Sequence, residues 1–302
     1  MAAQRGVILG GDCRDTLPTV AAESVQPCVT SPPYFGLRDY GHAAQIGLEE
    51  TPEQYVAQLV AVFREVRRAL RADGTLWLNL GDTYAGGGGF APDVPCNVAR
   101  AQGKQWGALN PAKMDRHIAK VKSAGGKRVP DGLKPKDLIG IPWRVAFALQ
   151  ADGWWLRQDI IWSKPSLMPE SVTDRCTRAH EYVFMLSKSA NYFYDAKAVR
   201  EAAAGPEQWR NRRSVWTITS KPYAGAHFAT MPPALAALCI QAGSRVGDMV
   251  LDPFLGSGTT GEVAEALGRQ WVGCELNPDY AKQAEERTAQ VGLFGGGCAS
   301  RY

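Results

Sequence analysis

Four consecutive residues, Ser31-Pro32-Pro33-Tyr34, stand at the end of the apolar run Val25 to Val29 and combine groups that suit a planar ligand. Prolines have fixed φ angles and no N–H donor, so the carbonyl oxygens around them stand outside a sheet ladder in a rigid turn. The serine adds a further oxygen acceptor and the tyrosine adds an aromatic face. Such a set can hold a planar group bearing an exocyclic –NH2, as a nucleobase does. Taken alone, these residues could also be a proline turn that ends a strand.

A second candidate site lies near the other end of the chain, in Asp252-Pro253-Phe254-Leu255-Gly256-Ser257-Gly258-Thr259-Thr260-Gly261. Met249 to Asp252 predicts a buried strand and Thr259 to Leu267 a helix, so the glycines form the turn between them. Their G-x-G-x-x-G spacing alone would indicate NAD, with its pyrophosphate at the helix N-terminus. The carboxylate and proline ring ahead of the glycines favour a cationic amino-acid tail instead.

Two further acids follow predicted strands. Glu275 ends the strand Trp271 to Cys274, where an acid can accept hydrogen bonds from both hydroxyls of a ribose. NAD enzymes use the same device, so Glu275 indicates a ribosyl cofactor without choosing its kind. Asp12 follows the strand Gly6 to Leu9 and is placed for a ligand or for a surface turn. Asp15 is predicted to cap the short helical turn that comes next.

Together the proline turn and the glycine loop resemble the S-adenosylmethionine-dependent DNA methyltransferases that modify exocyclic amino groups. The catalytic motif precedes the cofactor motif, as in the permuted group called β, and the resemblance covers nearly the whole chain except Gly86 to Val129. It implies an α/β fold with a doubly wound, mostly parallel, seven-stranded methyltransferase sheet. The sheet would contain an antiparallel hairpin strand and be circularly permuted, with the Gly6 strand next to the C-terminal cofactor strands.

The resemblance also implies roles for individual residues. Ser31, Pro32, Pro33 and Tyr34 would be catalytic, and Asp12 would contact the cofactor's adenine. Phe228, within His227-Phe228-Ala229, would touch its methionine end. The segment from Ile160 to Pro165, which contains Trp162 and Lys164, is similar to one at the target-base pocket, with a buried strand as the alternative. The cofactor-binding candidates are Asp12, Phe228, Asp252, Pro253, Phe254, Gly256, Gly258, Thr259, Thr260, Glu275 and Asn277.

Two polar stretches are candidates for contacts with DNA. Between Arg100 and Lys136 ten basic residues face two acidic ones, and such side chains can displace the counterions of DNA. Three arginines near residue 211 can fork to phosphates or to guanine edges. Solvated surface loops are the alternative for both stretches. The candidates for DNA or the target base are Arg38, Trp162, Lys164, Lys120, Lys122, Lys127, Arg128, Arg210, Arg212 and Arg213.

We expect residues 1–302 to form a single catalytic domain. Residues 86–132 would be a basic, mobile insertion, and residues 196–226 a target-recognition segment. Thr51-Pro52-Glu53 predicts a helix start, and apolar residues at helical spacing continue the helix to about residue 73. Strands are predicted at Thr75 to Leu80, around Ile160, and at His180 to Leu186, the last antiparallel to the one before it.

Composition narrows the functional classes. The hydrophobic fraction of 45% and charged fraction of 21% are those of an ordinary soluble globular protein. Seven cysteines without a C-x-x-C pair favour reduced thiols over disulfides or a zinc site, so no metal is expected. No apolar run approaches a membrane span, which favours a cytoplasmic location. Because the net charge is only +4, contacts with nucleic acid must come from local clusters.

These observations predict an enzyme that transfers a methyl group from S-adenosylmethionine to the exocyclic amino nitrogen of a flipped base in double-stranded DNA. Family members with serine before the proline pair mostly methylate cytosine N4, so Ser31 favours cytosine over adenine N6. A cognate restriction endonuclease and a second copy of the chain are candidate partners. A NAD-binding oxidoreductase leaves the proline turn unexplained, and a non-catalytic DNA-binding regulator conflicts with two intact motifs. An RNA or protein substrate stays open.

Overall fold

An eight-stranded sheet with helices on both faces organises the computed structural model, which describes residues 6–37, 40, 42, 44–86, 129–166, 170, 172–203, 208–219 and 231–293. Its strands are β1 (Gly6–Gly10), β2 (Val25–Thr30), β3 (Leu70–Leu80), β4 (Trp155–Ser163), β5 (His180–Ser187), β8 (Val215–Thr217), β9 (Met249–Asp252) and β10 (Gln270–Glu275). β6 (Glu201–Ala202) and β7 (Trp209–Arg210) form a separate pair. The helices are α1 (Cys13–Thr16), α2 (Pro52–Ala69), α3 (Ile141–Ala151), α4 (Pro233–Gly243), α5 (Thr259–Ala266) and α6 (Pro278–Leu293).

The strand order is β1-β10-β9-β2-β3-β5-β4-β8. Neighbours from β1 to β3 are parallel, whereas β5 is antiparallel to both β3 and β4. The predicted α/β sheet with an antiparallel hairpin strand is therefore confirmed. β1 lies beside β10, so the first and last strands within the described residues are neighbours.

The described sheet has eight strands, one more than the seven expected. The additional strand β8 lies in a stretch for which the sequence predicts no regular structure. It pairs parallel with Ile161 to Ser163, and the buried indole of Trp216 stacks on Trp77, with ring centroids 6.4 Å apart. A three-residue strand has too few residues to show periodicity, and its partners provide its stability.

The predicted cap sets the start of α2, whereas the start of β3 and the cap of α1 differ from expectation. α2 begins with the predicted cap, in which Thr51 Oγ1 accepts from Gln54 N at 3.2 Å. β3 starts at Leu70 and not at Thr75, because Leu70 pairs with Val25 of β2 and Thr75 with Pro27. The residues between them, which include Asp73-Gly74, form the irregularity at a register shift. Asp12, not Asp15, caps α1 by accepting from the backbone N–H of Arg14.

The hydrophobic core lies on both faces of the sheet. α2 and α3 cover one face with fully buried Tyr55, Leu59 and Phe63, and α4 and α5 cover the other with Leu235 and Val263. All six residues of β2 are buried, as in the centre of parallel sheets. None of the helices in the described ranges is long and apolar enough to cross a membrane.

Candidate active site

The carboxyl ends of β1, β10, β9 and β2 meet along one edge of the sheet. Register pairs Gly10 with Glu275 and Gly273 with Asp252, so residues that follow these strands line a common crevice. In open α/β sheets, ligands bind at this edge. The edge brings both motifs together although they lie far apart in sequence.

The carboxylate of Asp252 joins the glycine loop to the end of β2. One oxygen accepts from Thr30 Oγ1 at 2.6 Å and from Phe254 N at 3.0 Å, and the other accepts from Thr260 Oγ1 at 2.7 Å. Only 4% of the residue is exposed, and burial raises the pKa of its carboxyl despite these hydrogen bonds. Three of its roughly four acceptor sites are used internally. Asp252 thereby fixes the loop relative to Thr30, the residue directly before Ser31.

The glycine turn needs backbone conformations that favour glycine. Gly256 has φ 56° and Gly258 has φ 85°, both in the left-handed region. A side chain at Gly258 would also bring its Cβ within 2.8 Å of the Cβ of Ala284 on α6. Gly258 therefore lets α5 approach α6 closely, while a Cβ on Gly256 would meet no atom within 4 Å. Pro253 and Phe254 form the turn between β9 and these glycines.

Glu275 lies beside the glycine turn with a mostly buried carboxylate. Its two oxygens accept from Gly256 N at 2.7 Å and from Asn277 N at 2.8 Å. Burial, with a smaller contribution from the charge of Asp252, raises the pKa of this carboxyl above its ordinary value. Two hydrogen bonds leave about two acceptor positions on the carboxylate. A ribose diol, which has two hydroxyl donors, fits that remaining capacity.

Asp12 meets the same edge but is engaged by Arg14. The guanidinium donates to both oxygens of Asp12, at 3.0 and 3.1 Å through Nε, and also to Gln58 Oε1 and the Ala44 carbonyl. Burial opposes the charged form of Asp12, but the Arg14 hydrogen bonds outweigh it and lower the pKa. Arg14 thus connects the first strand to the loop that follows the catalytic turn, a connection that sequence reasoning missed.

The proline turn directly follows β2 and is anchored by α2. Tyr55 Oη on α2 donates to the Pro33 carbonyl at 2.8 Å, which anchors the turn from the core side. Among the described residues, no hydrogen-bond donor reaches the Pro32 carbonyl oxygen. The Tyr34 ring packs against Gly81 so closely that a Cβ there would lie 2.5 Å from it. The turn is therefore held rigidly, and the described part of the chain supplies no donor to the Pro32 carbonyl.

Behind the turn lies a polar network. Asn79 Nδ2 donates to Tyr34 Oη at 2.8 Å, and Tyr34 Oη donates to Glu181 Oε2 at 2.7 Å. Lys164 forms an ion pair with Glu181 and lies 4.2 Å from the Trp162 ring centroid. The predicted grouping of Trp162 and Lys164 near the proline turn thus has a direct structural connection. Burial, then the Glu181 charge, raises the pKa of Tyr34 well above its ordinary value.

Sequence reasoning missed Asn79 and Glu181. The available signal for Asn79 was a lone polar residue in the apolar strand Leu76 to Leu80. Glu181 had a similar signal, an acid at the start of an apolar strand, but nothing in the sequence links it to Tyr34. That link comes from strand order, because β5 lies beside β3.

The arginines near residue 211 lie on the surface in ion pairs. Arg210 and Arg213 both bind Glu201, at 2.8 and 2.6 Å, and Arg212 donates to the Val199 carbonyl. These contacts order the segment without burying the guanidinium groups of Arg210 and Arg213. Arg38, Lys120, Lys122, Lys127, Arg128 and Phe228 lie outside the described residues, as does most of the basic insertion. The described part contains no cluster of His, Cys, Asp and Glu that could hold a metal ion.

Comparison with known proteins identifies the family. Residues 25–286 match the family model N6_N4_Mtase, whose description is DNA methylase. The chain belongs to this family. It is a DNA methyltransferase of the exocyclic-amino type, as the two motifs predict, and the oxidoreductase alternative is wrong.

Curated relatives match over most of their length. The chain is 50% identical to the type II methyltransferase M.SmaI of Serratia marcescens over 281 residues, covering 93% of this chain and 89% of the relative. It is 53% identical to M.XycI of Xanthomonas campestris pv. cyanopsidis over 279 residues, covering 92% and 85%.

Solved structures share the fold. The PvuII DNA methyltransferase, described as cytosine-N4-specific, has a TM-score of 0.66 at 20% identity, covering 96% of this chain and 91% of that one. A putative DNA modification methylase from Thermus thermophilus, complexed with S-adenosyl-L-methionine, has a TM-score of 0.60 at 26% identity, covering 96% and 94%. The predicted methyltransferase fold is thus confirmed.

Proposed function

We propose that this chain methylates the N4 amino group of cytosine in double-stranded DNA, using S-adenosylmethionine as methyl donor. The observation that carries the proposal is the Asp252 carboxylate, which joins the glycine loop to Thr30, next to Ser31. This contact fixes the distance between a methyl donor held by the loop and an amino group held by the turn. Fixed alignment of two reactants supplies much of the rate of such a displacement.

The residues at the sheet edge fit S-adenosylmethionine. Glu275 retains acceptor positions for a ribose diol, and the open, left-handed Gly256 allows close approach to its backbone. Asp12 follows β1 two residues after Gly10, the partner of Glu275, and would contact the adenine as the family resemblance implies, with Arg14 holding both of its oxygens. Pro253, Phe254, Gly258, Thr259, Thr260 and Asn277 shape the loop, and Phe228 would complete the methionine end. When bound, this donor supplies a methyl group on a positively charged sulfur.

The proline turn acts on the acceptor nitrogen. Its –NH2 group donates one hydrogen bond to the Pro32 carbonyl, which has no protein donor among the described residues, and one to Ser31 Oγ. These bonds draw the nitrogen toward a tetrahedral geometry and free its lone pair for attack on the methyl carbon. A paired base cannot offer its amino group in this way. The base therefore flips out of the helix and stacks on the Tyr34 ring.

Phosphate contacts would hold the DNA in register. Two segments would supply them, the insertion (residues 86–132) and the recognition segment (residues 196–226), and Arg38 would lie near the flipped base. The contacting residues would be Lys120, Lys122, Lys127 and Arg128 of the insertion and Arg210, Arg212 and Arg213 of the recognition segment. Two relatives carry the name type II methyltransferase, which supports a cognate restriction endonuclease as functional partner. We further propose that the chain acts as one catalytic domain and works in the cytoplasm. A homodimer stays a hypothesis.

Cytosine is preferred to adenine because Ser31 precedes the proline pair, the pattern typical of cytosine-N4 enzymes. Either base offers an –NH2 group to the same two acceptors, so adenine N6 is the second candidate. Labelled cofactor and DNA of mixed sequence are incubated with the protein, and the DNA is digested to nucleosides for mass analysis. We expect N4-methylcytosine. N6-methyladenine as the sole product would overturn the choice of base and leave the donor and mechanism standing.

A further inference from the structure

A chain of hydrogen bonds leads from the catalytic turn to a mostly buried ion pair. Ser31 Oγ donates to Tyr34 Oη at 3.4 Å, and Tyr34 Oη donates to Glu181 Oε2 at 2.7 Å. The other oxygen of Glu181 pairs with Lys164 Nζ. In this arrangement both hydroxyls donate in the direction of Glu181, and the Ser31–Tyr34 contact is the longer and weaker of the two. This direction leaves a lone pair of Ser31 Oγ facing the position of the target amino group.

The side-chain amide of Asn79 lies within hydrogen-bond distance of all three oxygens of this hydrogen-bond network. Asn79 Nδ2 lies 3.3 Å from Ser31 Oγ, 2.8 Å from Tyr34 Oη and 3.1 Å from Glu181 Oε2. Asn79 is only 2% exposed and belongs to the central strand β3. The two N–H protons of this amide are shared among the three oxygens, so Asn79, which is fixed in the sheet, restrains the serine, the tyrosine and the carboxylate.

We propose that Glu181 is the final acceptor of the proton that the target amino group loses, and that Ser31 and Tyr34 relay it. This inference rests on the proposed amino methylation. The nitrogen–carbon bond forms as the carbon–sulfur bond breaks, with that electron pair left on sulfur. The positively charged nitrogen then gives a proton to Ser31 Oγ. Ser31 passes its own proton to Tyr34 Oη, and Tyr34 passes its proton to Glu181, leaving a neutral methylamino group.

The electrostatics of the network suit this role. Burial and the Glu181 charge hold the pKa of Tyr34 high, so the tyrosine is a neutral hydroxyl at rest and can only pass a proton onward. Lys164 balances the carboxylate charge within a region where its side chain is mostly buried. Glu181 acts through Ser31 and Tyr34 without touching the base, so it is a positioning residue with a proton-accepting role.

Two variants interrupt the relay at different points. Tyr34→Phe removes the middle hydroxyl but keeps the ring and the Glu181–Lys164 pair, while Glu181→Gln removes the acceptor. Single-turnover methyl transfer at saturating labelled S-adenosylmethionine and DNA should slow by about 100-fold or more in each, the usual range for a proton-transfer group. The dissociation constants for both ligands should stay within about threefold of wild type. Because the groups act as a unit, the double variant should be no slower than the slower single variant.

Matched controls are Tyr192→Phe, whose hydroxyl contacts Arg157, and Glu65→Gln, which pairs with Arg68 on α2; both should keep the wild-type rate. Wild-type rates in Tyr34→Phe or Glu181→Gln would overturn the relay, as would additive losses in the double variant. If methyl transfer slows in these variants and DNA binding weakens by the same factor, the network serves DNA binding, and the relay is overturned. If Glu181→Gln does not fold, Tyr34→Phe decides alone. Wild-type protein that transfers no methyl to DNA would instead overturn the proposed function itself.

Discussion

At the scale of single residues, the site uses carboxylates whose acceptor positions are partly occupied by the protein. Asp252 gives three positions to the fold, whereas Glu275 gives two to backbone N–H groups and keeps the rest. The two acids at this sheet edge therefore have different functions. Asp252 sets the shape of the loop, and Glu275 is available to a ligand.

The role of Glu275 predicts a pH dependence of cofactor binding. Because burial raises the pKa of its carboxyl, Glu275 takes up a proton at a higher pH than an exposed glutamate. The neutral carboxyl loses acceptor strength, so the dissociation constant for S-adenosylmethionine should be constant at neutral pH and rise as pH falls through that pKa. Glu275→Gln should weaken binding at neutral pH by about tenfold or more, since hydrogen bonds to a charged group contribute roughly 1.5–3 kcal/mol.

Calorimetric titration of wild type and Glu275→Gln across acidic pH measures both effects. Asp252, whose pKa burial also raises, titrates in both proteins and serves as the internal reference. The variant should lose most of the pH dependence. Equal pH dependence in the two proteins would remove Glu275 from the cofactor site.

The sequence was sufficient to predict the two motifs because the chemical groups of each motif lie within a few consecutive residues. Ser31 to Tyr34 and Asp252 to Gly258 are contiguous, so their spacing alone predicts a turn and a loop. Asn79 and Glu181 could not be assigned in that way. Each is one polar residue in an apolar strand, and only the pairing of β5 with β3 brings both to Tyr34.

At the scale of elements, the contact between α5 and α6 depends on Gly258. A methyl group there would lie 2.8 Å from Ala284 Cβ, in a backbone conformation with φ 85°. Gly258→Ala should therefore lower the free energy of unfolding by both backbone strain and overpacking, and should weaken cofactor binding by displacing the loop.

Gly247→Ala is a matched control for the cost of placing a side chain on a left-handed backbone. Gly247 has φ 89°, yet a Cβ there would meet no atom within 4 Å. In denaturant titrations, Gly258→Ala should cost about 1–3 kcal/mol more than Gly247→Ala, the usual range for overpacking. Equal losses of unfolding free energy in the two variants would mean that α5 and α6 shift to accommodate the added methyl group without overpacking.

Element boundaries were less predictable than element types. The cap Thr51-Pro52 fixes the start of α2 because both signals act within one turn. The start of β3 at Leu70 depends instead on the pairing of Leu70 with Val25 of β2, which places the first strand residue before the irregular stretch at Asp73-Gly74. β8 is stabilised by Trp216, which is buried against Trp77. No pattern in the neighbouring sequence predicts this contact.

At the scale of the whole molecule, the small net charge of +4 means that DNA binding depends on where basic residues cluster. The insertion concentrates them, so Lys120, Lys122, Lys127 and Arg128 replaced together by glutamine should weaken DNA binding at low salt. Each lost phosphate contact should reduce the slope of log affinity against log salt by about 0.9.

Fluorescence anisotropy at several salt concentrations gives the slope. Arg71→Gln is the control for a change in total charge, because Arg71 pairs with Asp248 at the amino end of β3, away from the site. Its slope should match wild type. An unchanged slope in the fourfold variant would exclude the insertion from the DNA interface.

The pairing of β1 with β10 has a consequence for synthesis. Gly6 leaves the ribosome long before its β10 partner Trp271 is made, so β1 has no neighbour in its sheet until then. β2, β3, β5 and β4 can pair earlier, since all are made before β9. Closing the long loop between first and last strands carries an entropic cost and slows folding. The proline turn can thus form in a nascent chain well before β10 completes the sheet edge, and we expect no methyl transfer until β10 is in place.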